Sequence, residues 1–399
     1  MFGALQRPPL MPINLTYVGF GFTFFFFVIF VLLNRRKIEF HISFLDTSII
    51  LFLIIIILTS VFSALLYGTT LTIFTKISSF TFIGMLALYF IVRISFVDEK
   101  DVLNLLIVFI ITTVVLCCLG ILSSYLIPDF FLLKFIDVET TRADSWNEGL
   151  RFSSFFGNPN LFASYLILIF PLTVMIPISQ KRYRNLFWIF FAIIILIGLL
   201  LTFSRSAIIG VLISVIILIF KSGKKKSLFG VLIFLIFTAL FSLLLLETIL
   251  PNVTNIIQER ITNSLSQSSF ESRINIWNMS KNIYLNYPIG VGYGNYRLGS
   301  EMARLPLYLY YLTGRSGHNS FIVTLVENGP FALIALLFIA FQSVKNLLNK
   351  RSSHLILALS TSFLGFWIHN TAHTVYALIQ VWILLACLEN LRILKEKAI

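Results

Sequence analysis

Three basic side chains draw attention by their setting. Arg205 interrupts an otherwise apolar stretch, residues 186–220, within Thr202-Phe203-Ser204-Arg205-Ser206. Arg273 follows Glu271 and Ser272 and opens a stretch continuing through Ile274, Ile276, Trp277 and Ile283. His318 lies in Gly317-His318-Asn319-Ser320, just before an apolar stretch that contains Glu327 and Asn328. A guanidinium is permanently charged and presents a planar fork of donors, which suits phosphate and carboxylate oxygens. An imidazole titrates near neutrality and can take up a proton. Together they can stabilise an anion and assist a weak nucleophile. Each also has a plainer reading. Arg205 can snorkel to lipid phosphates. Arg273 can pair with Glu271 or a headgroup, and His318 can be a satisfied interface residue. Glu327 lies roughly 13.5 Å along a helix from His318, so the two cannot pair directly. It either supports a basic group such as Arg205 or is a protonated structural residue beside Gly329-Pro330.

Further polar residues gather in the same regions. The segment 128–159 carries Asp129, Asp137, Glu139, Arg142, Asp144, Glu148 and Arg151, then runs into Phe156-Gly157-Asn158-Pro159-Asn160. Asn158-Pro159-Asn160 reads as a turn that caps a following helix. Asp137 and Glu139 without a placed third ligand are a weak metal signal, and a solvated loop is the better reading. His369 and His373 can share a helix face, but no His-Glu-x-x-His pattern surrounds them, so a zinc site is the minority reading. The segment 248–318 mixes Arg273, Arg297, Arg304 and Arg315 with Trp277, Tyr284, Tyr287, Tyr293, Tyr296, Tyr308, Tyr310 and Tyr311. Such aromatics suit sugar faces and equally suit a membrane-interface belt. Pro288 followed by Gly290, Gly292 and Gly294 is a glycine-punctuated turn, because no strand–helix unit frames it as a dinucleotide fingerprint.

These residues must be positioned by helices in a bilayer. The chain has 399 residues, 58% hydrophobic and 12% charged, including 42 Phe, with a mean hydropathy of +0.93. A soluble domain is about 25% charged. Continuous apolar blocks of about 20 residues indicate membrane helices rather than the alternating segments of a β-barrel. The net charge of +13 is assigned to topology before nucleic acid, because cytoplasmic loops collect Lys and Arg. Cys117, Cys118 and Cys387 lie in apolar runs and read as packing residues. No cleavable signal peptide stands out in the N-terminal region.

The basic clusters fix an expected topology. They are Arg35-Arg36-Lys37, Arg93 to Lys100, Lys181 to Arg184, Lys221 to Lys226, Lys345 to Arg351, and Arg392 to Lys397. Placed in the cytoplasm, they leave intervals that each form an outward-pointing hairpin. The expected pairs of spans fall in 48–92, 102–180, 186–220, 227–342 and 354–391. One further span, about 15–33, precedes them. The expectation is an all-α polytopic membrane protein of about eleven spans, or twelve if a short span precedes residue 15. It forms a single membrane domain over 1–399, with an outer loop at 128–159 and a large helical outer segment at 248–318. As one helix, 186–220 would be roughly 52 Å long, against a hydrocarbon core of about 30 Å. It must therefore fold into two spans with almost no loop, and Arg205 sits at their tip, at or below the headgroups. An arginine there is costly unless it faces a polar cavity or an anion.

The motifs Phe156-Gly157-Asn158-Pro159-Asn160, Leu201-Thr202-Phe203-Ser204-Arg205, Ser272-Arg273 with Trp277, Pro288 to Gly294, and His318-Asn319-Ser320 with Glu327 and Gly329 resemble the O-antigen ligase and O-antigen polymerase (Wzy/WaaL-type) superfamily. The resemblance covers about residues 150–340. It implies a multi-pass glycosyltransferase of the GT-C type in the bacterial inner (cytoplasmic) membrane, acting at the extracytoplasmic side. Such an enzyme takes an oligosaccharide from undecaprenyl diphosphate and passes it to a hydroxyl without a metal or other cofactor. The acceptor is another lipid-linked glycan in a polymerase or a lipid A core sugar in a ligase. Membrane lipids and a chain-length regulator protein are the implied partners, and nucleic acid is not. Ala332 departs from the ligase pattern, which favours polymerase. Carried onto this chain, the catalytic residues are Arg205, Arg273 and His318. Arg151, Asn158, Asn160, Trp277, Arg315, Asn319 and Glu327 are expected around the substrate. A flippase or exporter is the rival of another class. It would place ionisable residues at the midplane and show repeat symmetry, and neither is evident.

Overall fold

The computed structural model describes residues 41–69, 73–96, 98–122, 152–156, 158–179, 186–223, 229–230, 233, 267–303, 317–349, 352–375 and 378–397. Among them the secondary structure is entirely helical. The long helices are α1 (Phe44–Tyr67), α2 (Ile73–Ser95), α3 (Glu99–Ile121), α4 (Pro159–Ser179), α5 (Leu186–Leu201) and α6 (Arg205–Lys221). They are followed by α7 (Gln267–Asn286), the short α8 (Tyr296–Met302), α9 (Ser320–Val344), α10 (His354–Asn370) and α11 (Ile379–Lys397).

All of these except α7 and α8 occupy intervals expected to span the bilayer. The expected spans at about 15–33 and early in 227–342 fall mostly outside the described residues, as do Arg151, Arg315, Asp137 and Glu139. Helices α1, α3, α4 and α9 are long and apolar enough to cross a membrane by length and composition. Helices α5 and α6, of 16 and 17 residues, are about 24 and 26 Å long. That is shorter than the hydrocarbon core, and only Thr202, Phe203 and Ser204 join them. Arg205 therefore cannot stand far out in water.

Helix ends sort into two groups. At one end, Arg93 of α2 donates from Nε to Asp46 Oδ1 of α1 at 3.0 Å and from Nη2 to Asp46 Oδ2 at 2.9 Å. It also donates to Asn390 of α11. Arg392 is paired with Glu389 at 2.7 Å and donates to the Gln342 carbonyl of α9. Two arginines counted in the basic clusters are thus buried and neutralised by acids on spanning helices. The basic end also carries Lys221, Lys345, Lys395 and Lys397. The opposite end gathers 152–156, 158–160, 201–206, 317–320 and 369–375.

Helix α9 is broken, and the break explains the glycine-punctuated turn. Pro330 has no N–H, so the Val326 carbonyl loses its helical partner. Gly329 adopts φ 76°, ψ −179° inside the helix. Val291 N donates to the Val326 carbonyl at 3.0 Å and Gly292 N to the Glu327 carbonyl at 2.7 Å. Thr59 Oγ1 of α1 donates to the Asn328 carbonyl at 3.2 Å. All three exposed carbonyls are satisfied from outside, as a helix broken within a bilayer requires. The approach is close. A Cβ on Gly290, whose φ is 104°, would stand 2.6 Å from the Glu327 carbonyl oxygen, and one on Gly329 would strike the Ile289 carbonyl.

Helices α6 and α10 cross through small residues. A Cβ on Gly210 would lie 2.6 Å from the Gly365 carbonyl oxygen. One turn further from the tip, Ser214 Oγ donates to the Thr361 carbonyl at 2.7 Å. Small side chains let the backbones touch, which is how apolar helices associate without a hydrophobic drive.

Candidate active site

Arg205 is the first residue of α6, and its backbone setting is unusual. Phe203, two residues earlier, has φ 50°, a left-handed conformation that L-residues other than Gly, Asn and Asp seldom adopt. Ser204, at the N-cap position, makes no side-chain cap hydrogen bond, and its buried hydroxyl has no partner among the described residues. The first turn of α6 is thus without a side-chain cap, and its positive end lies beside the guanidinium. Arg205 itself is exposed.

Arg273, on α7, is half-buried. Burial, and then the nearby Arg205 guanidinium, hold its pKa below the ordinary arginine value. Two permanent cations from separate segments therefore stand close enough to repel each other. Among the described residues neither forms an ion pair. Trp277, one turn along α7, has its indole N–H buried without a partner among the described residues.

His318 also has a left-handed backbone, φ 46°. Asn319 caps α9: its side-chain oxygen accepts from Phe321 N at 2.9 Å and Ile322 N at 3.1 Å. Ser320 N and Ser320 Oγ each donate to the His373 carbonyl at 3.1 Å. The His318 ring stands edge-on to His373, with centroids 6.3 Å apart. His373 lies 4.7 Å from His369. His369 Nδ1 meets Ser206 Oγ at 2.8 Å, and its Nε2 donates to the Asn160 carbonyl at 3.2 Å. Three imidazoles therefore run from beside Arg205 to His318. Both His369 nitrogens are engaged, by Ser206 and by the Asn160 carbonyl. Among the described residues, no group of three or more His, Cys, Asp or Glu has metal-holding geometry.

The other expected contact residues divide. Asn158 accepts from Asn160 N at 2.8 Å through its side chain and forms the turn that starts α4. Glu327 does not meet Arg205 in any contact the structure shows. Its Oε1 accepts from Tyr296 N at 3.1 Å, and the Gly294 backbone hydrogen-bonds to it as well. It holds the glycine turn and the start of α8. Tyr296 is buried, with its hydroxyl 2.6 Å from Ser280 Oγ; burial pushes its phenol up to about 12. Tyr293 is buried too, so neither ring is open to a sugar. What sequence reasoning passed over is the contact between Ser206 and His369. The four-residue spacing of His369 and His373 was a signal, but only the α6–α10 crossing reveals its partner.

Arg205, Arg273 and the histidine row thus lie at one end of a bundle of apolar helices, four of which are long and apolar enough to cross a membrane. Residues 163–337 match the family model described as O-antigen ligase (Wzy_C). Over that span, less than half of its length, the chain is similar to the O-antigen ligase family. The matched span contains Arg205, Arg273, the glycine turn, His318 and Glu327. No curated protein sequence matches the chain.

Proposed function

We propose that the protein transfers a glycan from undecaprenyl diphosphate to a sugar hydroxyl at the outer leaflet of the cytoplasmic membrane, as a polymerase of surface polysaccharide. The observation that carries this reading is the Arg205–Arg273 pair. Arg205 leads α6 at the end of the bundle where His318 lies, and Arg273 on α7, half-buried, feels its charge; two such cations favour a multiply charged anion beside them. A lipid diphosphate at the bilayer surface supplies one. As the glycosidic bond breaks, charge grows on the diphosphate, and fixed guanidiniums together with the free N-terminus of α6 stabilise it without reorganising. The acceptor hydroxyl is a weak nucleophile, and His318 takes its proton as the bond to the anomeric carbon forms. Direct attack inverts the anomeric configuration.

The test uses purified protein in nanodiscs with an undecaprenyl-diphosphate-linked repeat and no ion gradient. A ladder of longer lipid-linked glycans is expected. Product only on an added lipid A core would assign a ligase instead. Absence of any transfer, with the glycan moved between leaflets, would assign a flippase. The arginines supply the positive charge in this scheme, so activity should survive EDTA. Loss with EDTA and recovery with Mg²⁺ or Mn²⁺ would overturn that part and direct attention to Asp137 and Glu139.

A further inference from the structure

The outer apex of the last hairpin, residues 369–375, touches both halves of the site. On one side, His369 reaches Ser206, the neighbour of Arg205. On the other, the His373 carbonyl accepts from Ser320, Val375 N donates to Ser320 Oγ at 3.2 Å, and Ser320 Oγ also bonds Asn370. His369, Asn370 and His373 are all buried.

The His369 contact belongs to a ladder. Ser214 meets Thr361, Gly210 meets Gly365, and Ser206 meets His369. Each rung lies four residues further along one helix and four back along the other, as expected where two antiparallel helices stay in contact turn after turn. Ser206–His369 is the outermost rung. Of the two inner rungs, Gly210–Gly365 is a backbone contact and Ser214–Thr361 a side-chain hydroxyl on a backbone carbonyl; this one is a hydrogen bond between side chains at the tip.

The ring's chemistry fixes its direction. The Asn160 carbonyl can only accept, so Nε2 must carry the proton. In the neutral ring Nδ1 is then an acceptor, and Ser206 O–H donates to it. His369 thereby ties the start of α6 to the start of α4 and leaves the first turn of α6 one orientation.

We infer that His369 is a positioning residue: through Ser206 it fixes Arg205 for the diphosphate, and through the apex it sets that tip against the turn bearing His318. The inference rests on the roles proposed above for Arg205 and His318. A group held within about 0.5 Å of its productive place needs neighbours that are themselves locked, and Arg205 stands beside a three-residue turn with a left-handed Phe203.

The test separates the two arms of the ring. In His369→Gln the amide reaches toward the Nε2 position and keeps the donor to Asn160, but offers nothing to Ser206. In His369→Asn the side-chain oxygen stands near the Nδ1 position and still accepts from Ser206. Ser206→Ala removes the same contact from the other side while deleting one oxygen, so it keeps the test open where a histidine variant fails to fold. The readouts are undecaprenyl diphosphate binding and kcat and KM for transfer from the lipid-linked repeat, on nanodisc protein, beside Arg205→Ala. H369Q and S206A should each raise the donor KM and weaken binding by about tenfold. The double variant should be no worse than either single one, since both remove one interaction. H369N should recover most of the loss. Equal behaviour of H369N and H369Q would reduce His369 to a fold residue and overturn the inference. So would normal binding and KM in S206A and H369Q while R205A is impaired; in that outcome the proposed function stands. Normal transfer by R205A would instead remove Arg205 from the mechanism, and this inference with it.

Discussion

At the scale of single residues, the two arginines and His318 should fail in different ways. Arg205→Lys keeps a charge but loses the planar fork, so diphosphate recognition should weaken. Arg205→Ala should be worse, because only the helix terminus then remains at the tip. Arg273→Ala should remove the desolvation cost of that guanidinium and its repulsion by Arg205, so the unliganded variant should not lose stability on this account while donor affinity falls. His318→Ala should leave donor binding nearly intact and lower kcat by about 10²–10⁴-fold, the usual contribution of a general base. Paired binding and single-turnover measurements on the same preparations check this. A His318→Ala protein that binds poorly but turns over its bound fraction at the normal rate would make His318 a binding residue. The left-handed backbone of His318 belongs to this scale too. Such conformations cost about 1–3 kcal/mol and persist where the surroundings hold them, and here Asn319, Ser320 and the His373 carbonyl hold the turn.

At the scale of elements, the junction between the glycine turn and broken α9 makes the sharpest stability prediction. Gly290→Ala puts a Cβ against the Glu327 carbonyl on a backbone with φ 104°. It should cost several kcal/mol, whereas Gly→Ala at a backbone that alanine can adopt stabilises by about 0.4–1 kcal/mol; the loss is read as a fall in the melting temperature of the detergent-solubilised protein. An unchanged melting temperature would mean that the turn does not dock on α9. The elements themselves were legible in sequence. The hairpins 48–92, 186–220 and 354–391 appear where apolar length and basic clusters place them, because bilayer thickness and loop charge are local constraints. The tip at Arg205 was legible for the same reason, since 186–220 is too long for one span and too short for two with a loop. The docking of Val291 and Gly292 on α9 was not, because it depends on which distant backbone donors meet the carbonyls that Pro330 leaves open. Glu327 shows the same limit. Its type and depth foretold a partner, but that partner is backbone N–H in the turn rather than a cation. Nothing local in Ser206 or His369 announces their contact, which is made across the small-residue crossing of α6 and α10.

At the scale of the whole molecule, everything proposed depends on which end faces out. The exposed faces of α1 (Leu51, Ile54, Leu58, Phe62), α6 (Ile209, Leu212, Ile216) and α9 (Phe331, Ile334, Leu337, Phe338) are apolar and suit lipid along the middle of the bundle. They leave two polar ends, distinguished by charge. Lys221, Lys345, Lys395 and Lys397 gather at one; Arg205, Arg273 and the histidine row lie at the other. The buried pairs Arg93–Asp46 and Arg392–Glu389 reduce the free positive charge at the basic end, so the orientation rests on fewer residues than a count of Lys and Arg suggests. By the positive-inside rule, the lysines at the helix ends lead us to propose that the basic end faces the cytoplasm. Single cysteines at Thr371 and at Asn349, both exposed, report the two ends once Cys117, Cys118 and Cys387 are replaced by alanine. Cysteine at 371 should react with a membrane-impermeant maleimide in spheroplasts, and cysteine at 349 only after the membrane is permeabilised. The reverse pattern would put Arg205 and His318 in the cytoplasmic leaflet. A lipid-diphosphate site there would meet its donor before export, which is incompatible with building the polymer outside the membrane, so the proposed reaction and not merely its orientation would have to be abandoned.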